Sequence, residues 1–147
     1  MRYLLVMTLV LTMGIFACQK DKPPKRPVME PVTIATDTTD TGLMIQEIKT
    51  GDGAEAQVGN TVEVHYSGWF TDGKLFDSSL LRKKPLSLEL GAGSVIAGWE
   101  EGIQGMKVGG KRRLTIPPHL GYGAKGYPGA IPPNSTLVFD VELVSVK

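Results

Sequence analysis

Cysteine is nearly absent from this chain: one residue, Cys18, in 147. A lone cysteine cannot close a disulfide within the chain, and residues 42–147 hold none, which excludes thiol catalysis there. Histidine is scarce as well. His65 and His119 stand apart, with no carboxylate at ligand spacing, so no metal site is expected. Neither sign of charge dominates: 16 Lys and Arg balance 15 Asp and Glu, and within 42–147 each sign numbers 11. A domain without an excess of positive charge is not built for nucleic acid. No G-x-S-x-G elbow is present, which removes that class of hydrolase. No apolar run reaches the roughly 20 residues that a membrane-crossing helix takes.

Glycine, by contrast, is abundant, with 18 residues. Gly121-Tyr-Gly-Ala-Lys-Gly126 fits the G-x-G-x-x-G pattern of phosphate loops, but such a loop must open a helix. Here Tyr127-Pro-Gly-Ala-Ile-Pro-Pro133 follows, and prolines in the body of a helix cost about 3 kcal/mol each. The nucleotide reading fails, and the glycines are left to bend a long loop around Tyr122.

The N-terminus is organised differently from the rest. Arg2 precedes a nearly unbroken apolar stretch, Tyr3 to Phe16, followed by Ala17-Cys18. A charged start, a short apolar stretch and a small residue describe a secretory signal peptide, here residues 1–17. Ile15-Phe16-Ala17-Cys18 resembles the bacterial lipobox, although Phe16 departs from it. That resemblance implies a lipid-modified Cys18, a membrane anchor, and a place in a bacterial cell envelope. Gln19 resembles the residue of lipoproteins sorted to an outer membrane, with the domain in the periplasm or at the cell surface. Residues 19–41 carry four prolines and no sustained period of 2 or 3.6, so 18–41 reads as lipid site and extended tether.

Residues 42–147 are long enough for one core. Val62, Val64 and Tyr66 alternate with polar neighbours, as do Leu137, Phe139, Val141 and Leu143, the pattern of antiparallel strands with one buried face. Leu43–Ile48, Leu86–Leu90 and Lys111–Ile116 read as further strands, with Lys111-Arg112-Arg113 the exposed end of one. Asp72-Gly73 supplies a turn. Gly98 to Met106 places Trp99, Ile103 and Met106 on one helical face, yet two internal glycines cost about 1 kcal/mol each relative to alanine. The expected fold is α+β: a five- to six-stranded antiparallel, half-wrapped sheet around one short helix.

Nucleophiles are few in this domain, while aromatic and aliphatic residues fall at strand ends and loops: Tyr66, Phe76, Val95, Ile96, Trp99, Tyr122, Ile131 and Phe139. Taken singly, each reads first as ordinary core; taken together, such a set suits an apolar concavity with a polar rim, the usual form of a small-ligand site. Asp77, directly after Phe76, needs partners if buried. These residues lie in a series of motifs: Val64-His-Tyr66, Gly73-Lys-Leu-Phe-Asp-Ser-Ser79, Val95-Ile-Ala-Gly-Trp-Glu-Glu-Gly102, Tyr122-Gly-Ala124, Pro128-Gly-Ala-Ile-Pro-Pro133 and Leu137-Val-Phe-Asp-Val-Glu-Leu143. Together, and in order over about 42–147, they resemble the FKBP family of peptidyl-prolyl cis–trans isomerases.

The resemblance implies a site between sheet and helix, with Trp99 as floor and Tyr66, Phe76, Val95, Ile96 and Phe139 as walls. It implies that the Ile96 N–H and the Tyr122 hydroxyl hydrogen-bond substrate carbonyls, that Asp77 stands at the twisting amide and Arg82 supports it, and that Ile131 lines the loop side. Leu86 and Tyr127 occupy rim positions where the family often has an aromatic and a histidine. Ala130 and the apolar pair Leu80-Leu81 are further departures, which bear on peptide preference. The implied partners are proline-containing exported polypeptides and macrolides of the FK506 and rapamycin class. No cofactor is implied, and a 23-residue tether has no room for a dimerising helical domain, so a monomer is expected. A binding module or holdase that keeps the fold with weak catalysis is the rival class.

Overall fold

The computed structural model describes residues 35–147; the leader, Cys18 and the first part of the tether lie outside the described residues. Seven strands form one antiparallel sheet: β1 (Ala35–Thr38), β2 (Met44–Lys49), β3 (Thr61–Phe70), β4 (Leu75–Ser78), β5 (Leu86–Glu89), β6 (Lys111–Ile116) and β7 (Leu137–Val146). Their order is β1-β2-β6-β7-β3-β4, with β5 also on β3. A four-residue turn of helix, α1 (Ser79–Arg82), follows β4, and α2 (Ala97–Ile103) crosses the sheet.

The α+β class is the expected one, with two strands beyond those read from the sequence. β4 escapes a period-2 reading because it is only four residues long and intermediate in burial throughout most of its length. β1 falls in the stretch read as tether. All four of its side chains are exposed, so it carries no apolar alternation, and it is held by pairing with β2.

The alternating faces of β3 and β7 fill the core. Val62, Val64, Leu137, Val141 and Leu143 pack with Leu114 and Ile116 of β6 beneath Trp99 and Ile103 of α2. The helix ends a turn earlier than its apolar spacing predicts. Gln104 is extended and Gly105 has φ +84°, which breaks the helix, yet Met106 is still buried. The two glycines inside α2 have a packing reason. A Cβ on Gly98 would lie 2.7 Å from Ile116 Cγ2, and one on Gly102 would lie 2.6 Å from Leu114 Cδ1. Their absent side chains let α2 sit directly on β6.

The basic run at 111–113 is a strand, but its two arginines are not exposed as expected. Arg113 pairs with the buried Asp140 at 2.7 Å. Arg112 binds Glu47 at 2.8 Å and donates to the carbonyls of Gly102 and Gln104, both at 3.1 Å. Carbonyls at a helix C-terminus lack internal partners, and a cation there satisfies them. Charge alternation along a strand cannot reveal that a neighbouring helix ends over it.

Candidate functional site

The site begins at a gap in the sheet. β5 runs beside Thr61–Val64 and β4 beside Ser67–Trp69 on one edge of β3, leaving His65 and Tyr66 between them without a strand partner on that edge; β7 pairs with both on the other edge. An unpaired buried N–H is costly, so another group must supply its bond. Here the buried Ser79 does so: its Oγ accepts from the Tyr66 N–H at 2.8 Å and lies 3.0 Å from His65 Nδ1. Ser78 Oγ donates to the Tyr66 carbonyl at 3.2 Å, accepts from the Leu80 N–H at 3.2 Å as the cap of α1, and lies 2.8 Å from Ser67 Oγ. These serines fasten the end of β4 to β3 and so fix the residue just before them, Asp77.

Asp77 sits at the lip of the gap. Its carboxylate accepts from the Tyr66 hydroxyl at 2.5 Å, from Arg82 Nη1 at 2.5 Å and from the Ser78 N–H at 2.8 Å. Arg82 Nη2 also donates to the Tyr66 oxygen at 2.7 Å, closing a triangle. Partial burial pushes the Asp77 carboxyl up, but the hydrogen bonds from Tyr66 and Arg82 and the guanidinium charge outweigh it, holding the group below the usual aspartate range. Burial and the neighbouring carboxylate push the Tyr66 hydroxyl up to about 12. Asp77 is therefore a fixed anion at neutral pH, and Tyr66 a fixed donor.

Behind this lip lies an apolar cavity of about 150 Å³, lined by Tyr66, Phe76, Asp77, Leu86, Ser94, Val95, Ile96, Trp99, Tyr122 and Phe139. Its rings meet edge to face. Trp99 lies 4.9 Å from Tyr66 and 5.3 Å from Phe139, and Phe76 lies 5.5 Å from Phe139, with interplanar angles of 77°, 88° and 89°. Such pairs contribute about 0.5–1.5 kcal/mol each beyond burial and fix ring orientation.

Another part of the rim is Val95-Ile96, immediately before α2. Glu100 in the first turn of α2 accepts from the N–H groups of Gly91 and Gly93, tying down the loop that delivers this rim. The Ile96 carbonyl accepts from Trp99 and Glu100, while the Ile96 N–H has no acceptor among the described residues. The Tyr122 hydroxyl likewise has none, and burial raises its pKa, with further help from Tyr127 and Asp77, so it stays a donor. Two unengaged donors and an ionised carboxylate thus border one apolar hollow.

The long loop after a 3-10 turn (Pro118–Leu120) forms a flap. Gly126 has φ +62°, and a Cβ there would meet the Ile131 carbonyl oxygen at 2.3 Å. That closeness accompanies paired bonds between Tyr127 and Ile131, both 2.8 Å. The Tyr122 and Tyr127 rings meet edge to face on this flap, 5.8 Å between centroids.

Nine of the twelve pocket residues expected from sequence line the cavity itself: Tyr66, Phe76, Asp77, Leu86, Val95, Ile96, Trp99, Tyr122 and Phe139. Arg82 stands behind, bonded to Asp77 and Tyr66. Tyr127 is exposed on the flap, and Ile131 is buried beneath it; neither lines the cavity. Sequence reasoning missed Ser94 in the wall, the serines that place Asp77, and Glu100. A repeated Ser-Ser after an aspartate at a strand end is the only trace they leave.

Comparison with known proteins gives a consistent result. Residues 53–144 match the family model described as FKBP-type peptidyl-prolyl cis-trans isomerase. The chain is 55% identical over 105 residues to an FK506-binding protein of Neisseria meningitidis, covering 71% of this chain and 96% of that one. It is 53% identical over 106 residues to FK506-binding protein 1 of Dictyostelium discoideum, covering 72% and 99%. The crystal structure of FkpA from Escherichia coli superimposes with a TM-score of 0.71 at 52% identity, over 76% of this chain and 51% of that one. That of AtFKBP13 gives 0.72 at 39% identity, over 78% and 100%. The match spans about half the length of FkpA and nearly all of the other three proteins named.

Proposed function

The chain belongs to the FKBP-type peptidyl-prolyl cis-trans isomerase family, and on that premise we propose that the cavity over Trp99 is where its X–Pro amide turns. The observation that carries this reading is an apolar hollow whose lining includes the unengaged Ile96 N–H and Tyr122 hydroxyl together with the ionised Asp77. An X–Pro bond isomerises over a barrier of about 18–20 kcal/mol, which arises from amide resonance. Water at the carbonyl oxygen stabilises that resonance. Transfer of the bond into an aromatic cavity removes the water and weakens it, and preplaced dipoles then hold the twisted form. A thousandfold acceleration needs only about 4 kcal/mol, within reach of two hydrogen bonds and desolvation. No covalent step and no cofactor are required.

In this proposal Trp99 floors the site, Phe76 and Phe139 wall it, the Ile96 N–H and the Tyr122 hydroxyl bind substrate carbonyls, and Asp77 faces the rotating amide with Arg82 and Tyr66 holding it. The test is the rate of cis-to-trans conversion of an X–Pro peptide in the presence of the full-length chain. Acceleration that falls at least tenfold in Asp77→Ala, and less in Tyr122→Phe, is the expected result. A wild-type rate equal to the uncatalysed one would sink the reading.

The setting is proposed from the N-terminal sequence: a lipid on Cys18 holds a monomeric domain at a bacterial envelope membrane, where it serves proline-containing exported polypeptides. Cys18→Ser is expected to move the protein from the membrane fraction to the soluble one. Macrolide binding is proposed from the cavity, and from relatives named as FK506-binding proteins. Titration with FK506 against quenching of Trp99 fluorescence, in a background with Trp69 replaced, checks it.

A further inference from the structure

Beside the cavity runs a second depression that the isomerase chemistry does not use. It is a groove of about 590 Å³ lined by Glu63, Arg82, Lys84, Pro85, Leu86 and Ser87. Leu86 lines both, so cavity and groove form one continuous surface. A polypeptide with its prolyl bond over Trp99 extends about 3.3 Å per residue. Within two or three residues of the proline, a chain leaving over Leu86 reaches the groove.

The groove has one sign of free charge. Arg82-Lys83-Lys84 are consecutive, and all three are exposed. Arg82 is committed to Asp77 and Tyr66. Lys83 and Lys84 have no carboxylate partner among the described residues. Lys83 sits at the left-handed end of α1, with φ 53°, and its N–H donates to Leu80, which fixes the turn that carries both amines. The one anion in the groove, Glu63, is engaged by Ser145 Oγ at 2.7 Å and Lys147 Nζ at 3.4 Å. What remains is an apolar wall at Leu86 with the uncompensated Lys84 ammonium in the same lining, and the exposed Lys83 next to it in the chain.

We propose that this groove selects proline segments that carry an acidic residue a few positions from the proline. The inference rests on the isomerase reading of the adjoining cavity and adds a substrate class to it. An acidic flank would meet Lys84 and Lys83 while the prolyl bond stays over Trp99; a basic flank would be repelled. Such charges act at the rim, so they change capture more than the turnover step, and they weaken with salt.

The experiment uses the full-length chain and three peptides that share one X–Pro core and differ only in the residue two or three positions away: Glu, Gln or Lys, placed in turn on each side. At low ionic strength kcat/KM for one of the Glu peptides is expected to exceed that of its Lys counterpart by about threefold to tenfold, narrowing as salt is added. The double variant Lys83→Glu/Lys84→Glu is expected to reverse the order while the Gln peptide keeps its rate. Lys83→Gln/Lys84→Gln, which guards against misfolding of the first variant, is expected to erase the order. Equal rates for Glu and Lys peptides with normal turnover of the Gln peptide would overturn the inference and leave the isomerase reading standing. No turnover of the Gln peptide would overturn the reading beneath it. Loss of binding to phosphatidylglycerol vesicles in the Glu double variant, with peptide order unchanged, would assign the two lysines to a lipid surface and overturn the proposal.

Discussion

The Tyr66 hydroxyl donates to the Asp77 carboxylate at 2.5 Å, and the same ring meets Trp99 edge to face at 4.9 Å. One residue therefore joins the charged lip of the cavity to its apolar floor. Tyr66→Phe preserves the ring contact and removes only the hydroxyl. Asp77 then keeps Arg82 and the Ser78 N–H but loses the donor that aims it across the cavity. The expected outcome is a fall of about threefold to tenfold in kcat/KM, with a loss of stability of about 1 kcal/mol, because the carboxylate is partly solvated. Peptide kinetics and a urea melt on the same preparation check both. An activity loss that tracked the stability loss through partial unfolding would remove the positioning role.

The pH dependence follows from the direction of two shifts. Asp77 titrates below the ordinary aspartate value of about 3.9. Its contribution to stability is present above that value and lost as pH falls through its folded pKa, and it is small for a side chain 40% exposed. Tyr66 titrates at about 12, above the ordinary value near 10, so its contribution is present below about 10 and lost as pH rises toward 12. Catalysis should accordingly be flat from about pH 5 to 9. A bell-shaped profile centred near pH 7 would mean that a group other than these limits the reaction.

Most of the fold was legible because it rests on period-2 alternation, which β3 and β7 carry without interruption. Trp99 and Ile103 were legible as one helical face for the same kind of reason. β4 was not, because its four residues put an apolar and a polar side chain on each face, Leu75 with Asp77 and Phe76 with Ser78, and so show no alternation. Asp77 could be singled out by its place beside Phe76, but the arrangement that holds it could not. Its partners lie eleven residues before it and five after it, and they meet only because β4 and β5 leave a gap at Tyr66. Glu100 was hidden for a similar reason: a carboxylate in the first turn of a helix looks like ordinary dipole compensation, and only the folded loop brings Gly91 and Gly93 to it.

The glycines of α2 make a prediction in which two effects oppose each other. Gly98→Ala or Gly102→Ala in an isolated helix would gain about 1 kcal/mol from propensity. In the protein the new methyl would stand 2.6–2.7 Å from Ile116 or Leu114 side chains, all within the fully buried core. Overpacking of this kind costs about 1–3 kcal/mol. The packing term wins, so each variant should melt at a lower temperature than wild type. Since α2 carries Trp99 and follows Ile96, a displaced helix should also blunt catalysis. Pairing Gly102→Ala with Leu114→Val, which clears the contact, should recover part of both.

Ser79 offers the sharpest separation of structure from chemistry, since it is fully buried and does not itself line the cavity. Its hydroxyl accepts from the Tyr66 N–H in the place where a neighbouring strand would otherwise do so. Ser79→Ala leaves that N–H buried without a partner, at a cost of about 1–3 kcal/mol, and frees the junction of β4 with α1 that positions Asp77 and Arg82. The expected result is a lower kcat with KM little changed, since the aromatic walls that bind the prolyl ring are intact. Ser79→Thr retains the hydroxyl and should restore catalysis more than stability, because its extra methyl enters a filled site. If Ser79→Ala lost stability yet kept full kcat, Asp77 would be held by Tyr66 and Arg82 alone, and the serine would serve only the sheet edge.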